Sequence, residues 1–402
     1  MNEQLIVKNF GPIKDATVDF KRVTVFIGPT GGGKSTLAKL AAVFRDAELY
    51  DSRNNDFSKT EPFIRFVINT FFLKSTYIHF KSKSATVEYK RSKGTKRLSS
   101  EKTKEAKEFF KNIEYLLKKI KDTDISSNKS VSNDNLVAKR EDIMNRFNND
   151  KFSNYATNAN VTYFPAERAF VSSIGDSLAG LMRDDIGLPK HLLDFINDFF
   201  LAKRTIKKLA IRFININYIQ QEGRDFIKVG SSKKLISMHE AASGIQSITP
   251  MLVLLEHLSL SVDQRHSFIV EEPELNLYPT AQQGLLTWLV EKCTKGENDL
   301  TITTHSPYLL AHLNTLLFAY QVAQNHPERA EEIAKIVPRE SWLDPKEFAA
   351  YHVEGQKENG VRSIVNPETG LISYNGLDAI ASAEATEFEK LLDINAGLQV
   401  EW

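Results

Sequence analysis

The stretch V-F-I-G-P-T-G-G-G-K-S-T, Val25 to Thr36, reads as an apolar strand running into a glycine-rich loop and then a helix. Gly28, Gly33, Lys34 and Ser35 match G-x-x-x-x-G-K-[ST] without a mismatch. The spacing follows from phosphate geometry. The loop Gly28-Pro29-Thr30-Gly31-Gly32-Gly33 can curl round an anion, so that successive N–H groups point inward. Lys34 is placed to reach the β- and γ-phosphates, and Ser35 Oγ to ligate Mg²⁺. The helix from Thr36 aims its positive end at the same place. A chance glycine turn would need neither the strand before it nor the helix after it. The stretch predicts a nucleoside triphosphate site.

The rest of the composition is compatible with a folded ATP- or GTP-using protein. The chain has 402 residues, 42% hydrophobic and 26% charged, enough for two or three domains and a sizeable core. Its one cysteine, Cys293, excludes an internal disulfide. No apolar run approaches the roughly 20 residues needed to span a bilayer, and Met1–Gln4 does not open a signal peptide. A cytoplasmic protein is expected. Net charge is only +1, but it is unevenly spread. Lys81 to Lys121 holds fourteen Lys/Arg against five Asp/Glu, whereas Leu254 to the C-terminus holds ten against twenty-three.

Working outward from the loop, the first 30 residues alternate as three short strands with a Gly11-Pro12 turn. Residues 54–151 read as an inserted lobe between two parts of a head, 1–53 and 152–402. The lobe carries a hairpin, Thr76–Phe80 with Ala85–Lys90, and a mostly helical remainder, with an amphipathic helix from about Glu101 to Lys121. Beyond it, strands at Val161–Phe164, Ser267–Val270 and Leu300–Thr303 alternate with helices at His191–Lys203, Gly244–Leu258 and Thr280–Lys292. Strand runs at Ala210–Ile219 and Asp225–Val229 flank Glu222-Gly223 as a hairpin, and a last hairpin and helix close the chain. Short apolar strands alternating with helices predict an α/β fold, a mainly parallel sheet flanked by helices.

Three further segments bear chemistry. F-I-V-E-E-P-E-L-N-L-Y-P (Phe268–Pro279) is an apolar strand ending in paired carboxylates, at the edge where ligands sit in parallel sheets. Glu271 is a candidate Mg²⁺ ligand and Glu272 a candidate general base for water; a solvated loop start is the plainer alternative. L-T-I-T-T-H-S-P (Leu300–Pro307) ends the next buried strand in His305, which can hold a γ-phosphate or water, or simply satisfy a turn. In H-E-A-A-S-G-I-Q-S (His239–Ser247), Ser243 and Gly244 open a helix, either as a cap or as a second anion site.

Taken in this order, the four segments resemble the ABC-type P-loop ATPase head. The resemblance is to the soluble branch that includes RecF, SMC and the OLD-like ATPases of prokaryotic defence systems. It covers residues 1–50 and roughly 160–380; nothing matches the lobe. It implies ATP held with Mg²⁺ between two protomers, head to head, with Ser243-Gly244 of one facing the loop of the other. Thr30 stands where the family loop usually has Asn. No Q-loop glutamine is evident, and Glu167 or Arg168 in P-A-E-R stands near that position, with a structural ion pair as the alternative. A transporter subunit would read L-S-G-G-Q and end its strand in Asp-Glu.

Fewer than a hundred residues follow His305, too few to complete the head and add a Toprim nuclease domain. An effector is therefore expected to be a separate protein, as in two-protein systems resembling Septu and PARIS. The alternative is a RecF-like repair ATPase. Lys81, Lys83, Lys90, Arg91, Lys93, Lys96 and Arg97 would then bind DNA backbone without sequence preference. A solvated lysine-rich surface, or pairing with the acidic last third, accounts for them equally.

Overall fold

A computed structural model describes residues 3–46, 49, 61–82, 85–92, 95–102, 160–174, 187–260 and 265–373. Its centre is a six-stranded sheet in the order β15-β14-β3-β13-β12-β7. These are β3 (Val23–Ile27), β7 (Asn160–Phe164), β12 (His266–Glu271), β13 (Asp299–Thr304), β14 (Phe348–Val353) and β15 (Val361–Ser363). All neighbours run parallel except β14 and β15. Every residue of β3, β12, β13 and β14 is buried, as expected of strands covered on both faces.

One face is covered by α1 (Lys34–Arg45) and an antiparallel sheet. That sheet runs β2-β1-β4-β5-β6, from β1 (Glu3–Phe10), β2 (Ile13–Phe20), β4 (Phe72–Lys81), β5 (Ala85–Ser92) and β6 (Thr95–Lys102). Leu37, Leu40, Ala41 and Phe44 of α1 pack there with Leu5, Val7, Phe10 and Phe80. The other face is covered by α2 (Lys190–Thr205), α3 (Ser243–Leu258), α4 (Pro279–Cys293) and α5 (Pro307–Asn325). A four-stranded sheet completes the described structure: β8 (Lys208–Ile211), β9 (Ile216–Gln221), β10 (Arg224–Val229) and β11 (Leu235–Ser237).

The α/β head expected from the sequence is present, with three differences in detail. The expected Thr76–Phe80/Ala85–Lys90 hairpin is β4–β5, but it is not set apart from the head. β4 pairs along β1, burying Ile78 and Phe80 in the same core as α1. Glu101 and Lys102 end β6 rather than start a helix; residues 103–121 lie outside the described residues, as does the closing helix at 381–392. The strand β14, F-A-A-Y-H-V, has no counterpart in the sequence reading. Its paired alanines carry little strand propensity, and burial on both sides of the sheet supplies what propensity does not.

The amino end of the parallel sheet is closed by buried charges. Arg45, the last residue of α1, reaches Glu3 Oε2 (2.9 Å), Ser267 Oγ (2.8 Å) and Asp299 Oδ1 (3.1 Å). Its guanidinium also lies over the Phe20 ring. One side chain thereby ties α1, β1, β12 and β13 together.

Candidate functional site

At the opposite edge, the carboxyl ends of β3, β12, β13 and β14 converge, and nearly every residue singled out by motif lies there. The loop after β3 is shaped by its glycines. Gly28 has φ +140° and Gly33 φ +103°, both awkward for a side chain. A Cβ on Gly28 or Gly32 would come within 2.4 or 2.3 Å of the Val353 carbonyl oxygen, so β14 forms the wall against which the loop is moulded. Gly355 N–H then donates to Gly32 O (2.8 Å), fixing the loop to the turn after β14. Pro29, Thr30, Gly31 and Ser35 are exposed; Lys34 and Thr36 are buried. Lys34 Nζ donates to the carbonyls of Gly28 (2.9 Å) and Pro29 (3.0 Å), inside its own loop. Burial lowers the pKa of this ammonium, and the charges of Glu272, Glu274 and Glu271 oppose the shift.

The acidic strand end is the other half of the site. Glu271 is buried and its Oε1 has no hydrogen-bond partner. The Tyr163 hydroxyl beside it is pushed well above its usual pKa by burial and by the Glu271 charge. Glu272 has φ +42°, in the left-handed region that non-glycine residues avoid. Its Oε1 lies 3.3 Å from His305 Nε2. Glu274, the third acid of E-E-P-E, accepts from Thr304 Oγ1 (2.6 Å) and His305 N–H (2.7 Å), while its Oε2 is buried and unpartnered. Ser306 then caps α5 through Leu309 N–H (3.3 Å), so His305 sits directly before a rigid helix start.

Arg168 was one of two candidates for a Q-loop position or for an ion pair. Among the described residues it forms neither a side-chain ion pair nor an exposed contact. Fully buried, it donates to the carbonyls of Glu271 (2.6 Å) and Glu272 (2.8 Å). Burial brings its pKa down to about 10, against the pull of Glu274, Glu271 and Glu272, which leaves it cationic at neutral pH. Glu274 and Arg168 had a sequence signal, an acid and a base near strand ends. Tyr163 and Val353 had none, since their roles depend on neighbours distant in the chain.

Ser243 and Gly244 stand apart from this cluster. Ser243 is not the cap: Ala242 occupies that position, and Ser243 is the exposed first residue of α3. No side chain caps this helix start. Gly244 is buried against the Asn276 carbonyl, where a Cβ would come within 2.5 Å. Among the described residues, no hydrogen bond joins Ser243 or Gly244 to residues 28–36.

A phosphate-type glycine loop, a lysine and paired carboxylates at the carboxyl edge of a parallel sheet define a P-loop ATPase head. Residues 23–311, more than half of the chain, match the family model described as "AAA domain, putative AbiEii toxin, Type IV TA system". The chain belongs to that family. No curated protein matches it. Among solved structures it is similar to an SMC head domain from Thermotoga maritima, at 13% identity over 78% of this chain and 92% of that one (TM-score 0.38). It is also similar to the Pyrococcus furiosus Smc head domain solved with an extended coiled coil and bound to the C-terminal domain of ScpA. That match has 12% identity over 96% and 98% of the two chains (TM-score 0.38). No helix among the described residues is long and apolar enough to cross a membrane.

Proposed function

We propose that the chain binds ATP with Mg²⁺ at residues 28–36 and hydrolyses it. The observation that carries this reading is a pair of unpartnered oxygens. Among the described residues, Glu271 Oε1 and Glu274 Oε2 are the only buried carboxylate oxygens lacking a partner, and the charges of both acids act on Lys34. Buried carboxylates left this way are costly unless a cation completes them. Ser35 Oγ and Glu271 would hold Mg²⁺, which supplies charge to the β- and γ-phosphate oxygens. Lys34 would leave its loop carbonyls for the phosphates, an exchange of neutral acceptors for charged ones. Glu272 would take a proton from the attacking water, and His305, 3.3 Å away, would orient that water or the γ-phosphate.

The uncapped start of α3 fits a role across a dimer. Ser243 is exposed and lies outside the chain's own loop, so its free N–H groups are available to the γ-phosphate held by a second copy. ATP would then hold two heads together and release them on hydrolysis. The expected output is control of a separate effector of nuclease type in anti-phage defence. The test is ATP binding by Lys34→Ala, together with what copurifies with Glu272→Gln in ATP and Mg²⁺. Unchanged ATP affinity in the first would remove the loop assignment. A stoichiometric protein on the second supports effector control.

A second reading, direct action on nucleic acid, is favoured by one surface. Between Lys203 and Lys234 there are nine Lys/Arg and two carboxylates, a bias the sequence reading passed over. Strand alternation with buried Ile216, Tyr218 and Ile227 turns Lys208, Arg224 and Lys228 to the outer face of the β8–β11 sheet. Of the two carboxylates, Asp225 turns inward to Lys203 (3.0 Å) and Tyr218 (2.7 Å). On β4–β5, by contrast, exposed Lys81 and Lys90 alternate with Glu88, and Lys83 and Lys93 lie outside the described residues. If DNA binds, a Lys208→Glu/Lys228→Glu protein should lose more salt-sensitive affinity than Lys81→Glu/Lys90→Glu.

A further inference from the structure

Arg168 is the most deeply buried cation near the site, and it spends its hydrogen bonds on main-chain oxygens. Nη1 donates to the carbonyls of Glu271 (2.6 Å) and Pro165 (3.2 Å), and Nη2 to that of Glu272 (2.8 Å). Burying a guanidinium is strongly unfavourable before compensation. An arginine kept only to close a strand end would be an expensive choice, because a neutral amide or hydroxyl can satisfy a carbonyl. What this arginine uniquely does is grip two consecutive carbonyls with one planar fork.

The second of those carbonyls belongs to the one strained residue of the acidic pair. Glu272 sits at φ +42°, a conformation that is strained for a non-glycine residue and persists only where neighbours enforce it. Its N–H is held by Thr303 O (2.9 Å), and its C=O accepts from Arg168 Nη2 (2.8 Å) and, more loosely, from Leu275 N–H (3.2 Å) in the following turn. With the peptides on both sides fixed, the direction of its Cα–Cβ bond is fixed as well. That direction brings the carboxylate to 3.3 Å from His305 Nε2. The neighbouring Ser172 hydroxyl donates to Gln246 O of α3 (2.8 Å), so the segment carrying Arg168 is itself anchored.

We propose that Arg168 is a positioning residue that holds Glu272 in its left-handed conformation and so aims the carboxylate at the attacking water. The inference rests on the reading of Glu272 as general base, and the experiment separates the two. Steady-state ATP hydrolysis and ATP affinity are measured on the full chain for Arg168→Lys, for Glu272→Gln and for the double variant. Lysine keeps the charge and most of the volume but reaches one carbonyl instead of two. Arg168→Lys should lower kcat about 10- to 100-fold with ATP affinity within about twofold, a split that general loss of structure would not give. In the Glu272→Gln background the same change should lower kcat no further, because the two residues act as one unit.

Arg168→Gly with added ethylguanidinium supplies an independent readout. The additive should restore part of kcat to this variant and none to wild type; if the glycine variant is insoluble, the lysine series stands alone. Normal kcat in Arg168→Lys, or an equal loss with and without Glu272→Gln, overturns the positioning role and leaves the base assignment intact. Near-normal hydrolysis by Glu272→Gln alone overturns the base assignment, and the positioning role with it.

Discussion

The two ends of the parallel sheet bury charge in opposite ways. At the amino end, Arg45 meets Glu3, Asp299 and Ser267, and no oxygen of either carboxylate is both buried and unpartnered. At the carboxyl end, Glu271 and Glu274 each keep a buried oxygen without a partner, Glu272 is strained, and Lys34 is turned back on its own loop. The difference is completion. A closed network rigidifies its surroundings and has nothing left to give a ligand, whereas an incomplete one holds binding free energy in reserve. Unpartnered carboxylate oxygens, rather than the presence of charge, separate the candidate site from the scaffold.

The sharpest way to break that contrast is through turnover. Glu272→Gln should reduce kcat by about 10²- to 10⁴-fold while ATP affinity and melting temperature stay close to wild type. Loss of stability instead would make the carboxyl end a scaffold too. The reciprocal change is Arg45→Met, which takes the cation from Glu3 and leaves buried Asp299 with only Arg265 (3.4 Å) and Ser267 (2.8 Å). A loss of about 3–5 kcal/mol in denaturant unfolding is expected, with ATP affinity of the folded fraction unaltered.

Smaller effects test the loop that joins the two ends through α1. Gly32→Ala drives a methyl into Val353 O, whereas Gly31→Ala meets open space and faces only its φ of +75°. The first should weaken ATP binding at least tenfold, the second by a few-fold at most, in titrations of both proteins. The smallest effect is acid sensitivity. Burial lowers the pKa of His191, His266, His312 and His352 below 6.5. Below about pH 6.5 these four groups therefore bind more protons in the unfolded chain than in the folded one, so their contribution to stability falls as pH falls. His266, whose ring stacks on Phe268 and has no partner on either nitrogen, lies at the amino end. His266→Phe should raise the melting temperature more at pH 5.5 than at pH 8.

Local chemistry made the centre of this site readable in advance. Gly28 to Ser35 carry the G-x-x-x-x-G-K-S spacing, and Glu271, Glu272 and His305 stand at the ends of apolar strands, so each element carries its signal within a dozen residues. The α/β class followed from the same alternation. What escaped was set by partners far along the chain. Val353 matters because of Gly28 and Gly32, and Arg45 because of Asp299. The strands β4–β6 read as a separate lobe because nothing in their own sequence reveals that β1 is waiting to pair. The cationic β8–β11 face was hidden for a related reason: only the register shows that Asp225 turns inward and leaves the outer side without a carboxylate.

The contact between the glycine loop and β14 bears on how the chain is made. β3 leaves the ribosome early, yet its two neighbours begin at Asp299 and Phe348. At roughly 5–20 residues per second, more than fifteen seconds separate synthesis of the loop from synthesis of its wall. Throughout that interval an apolar strand and four loop glycines exist without the surface that shapes them. Nucleotide can therefore join the protein only as one of the last acts of its birth, and a ribosome stalled before residue 348 would carry a phosphate-binding sequence with no phosphate-binding site.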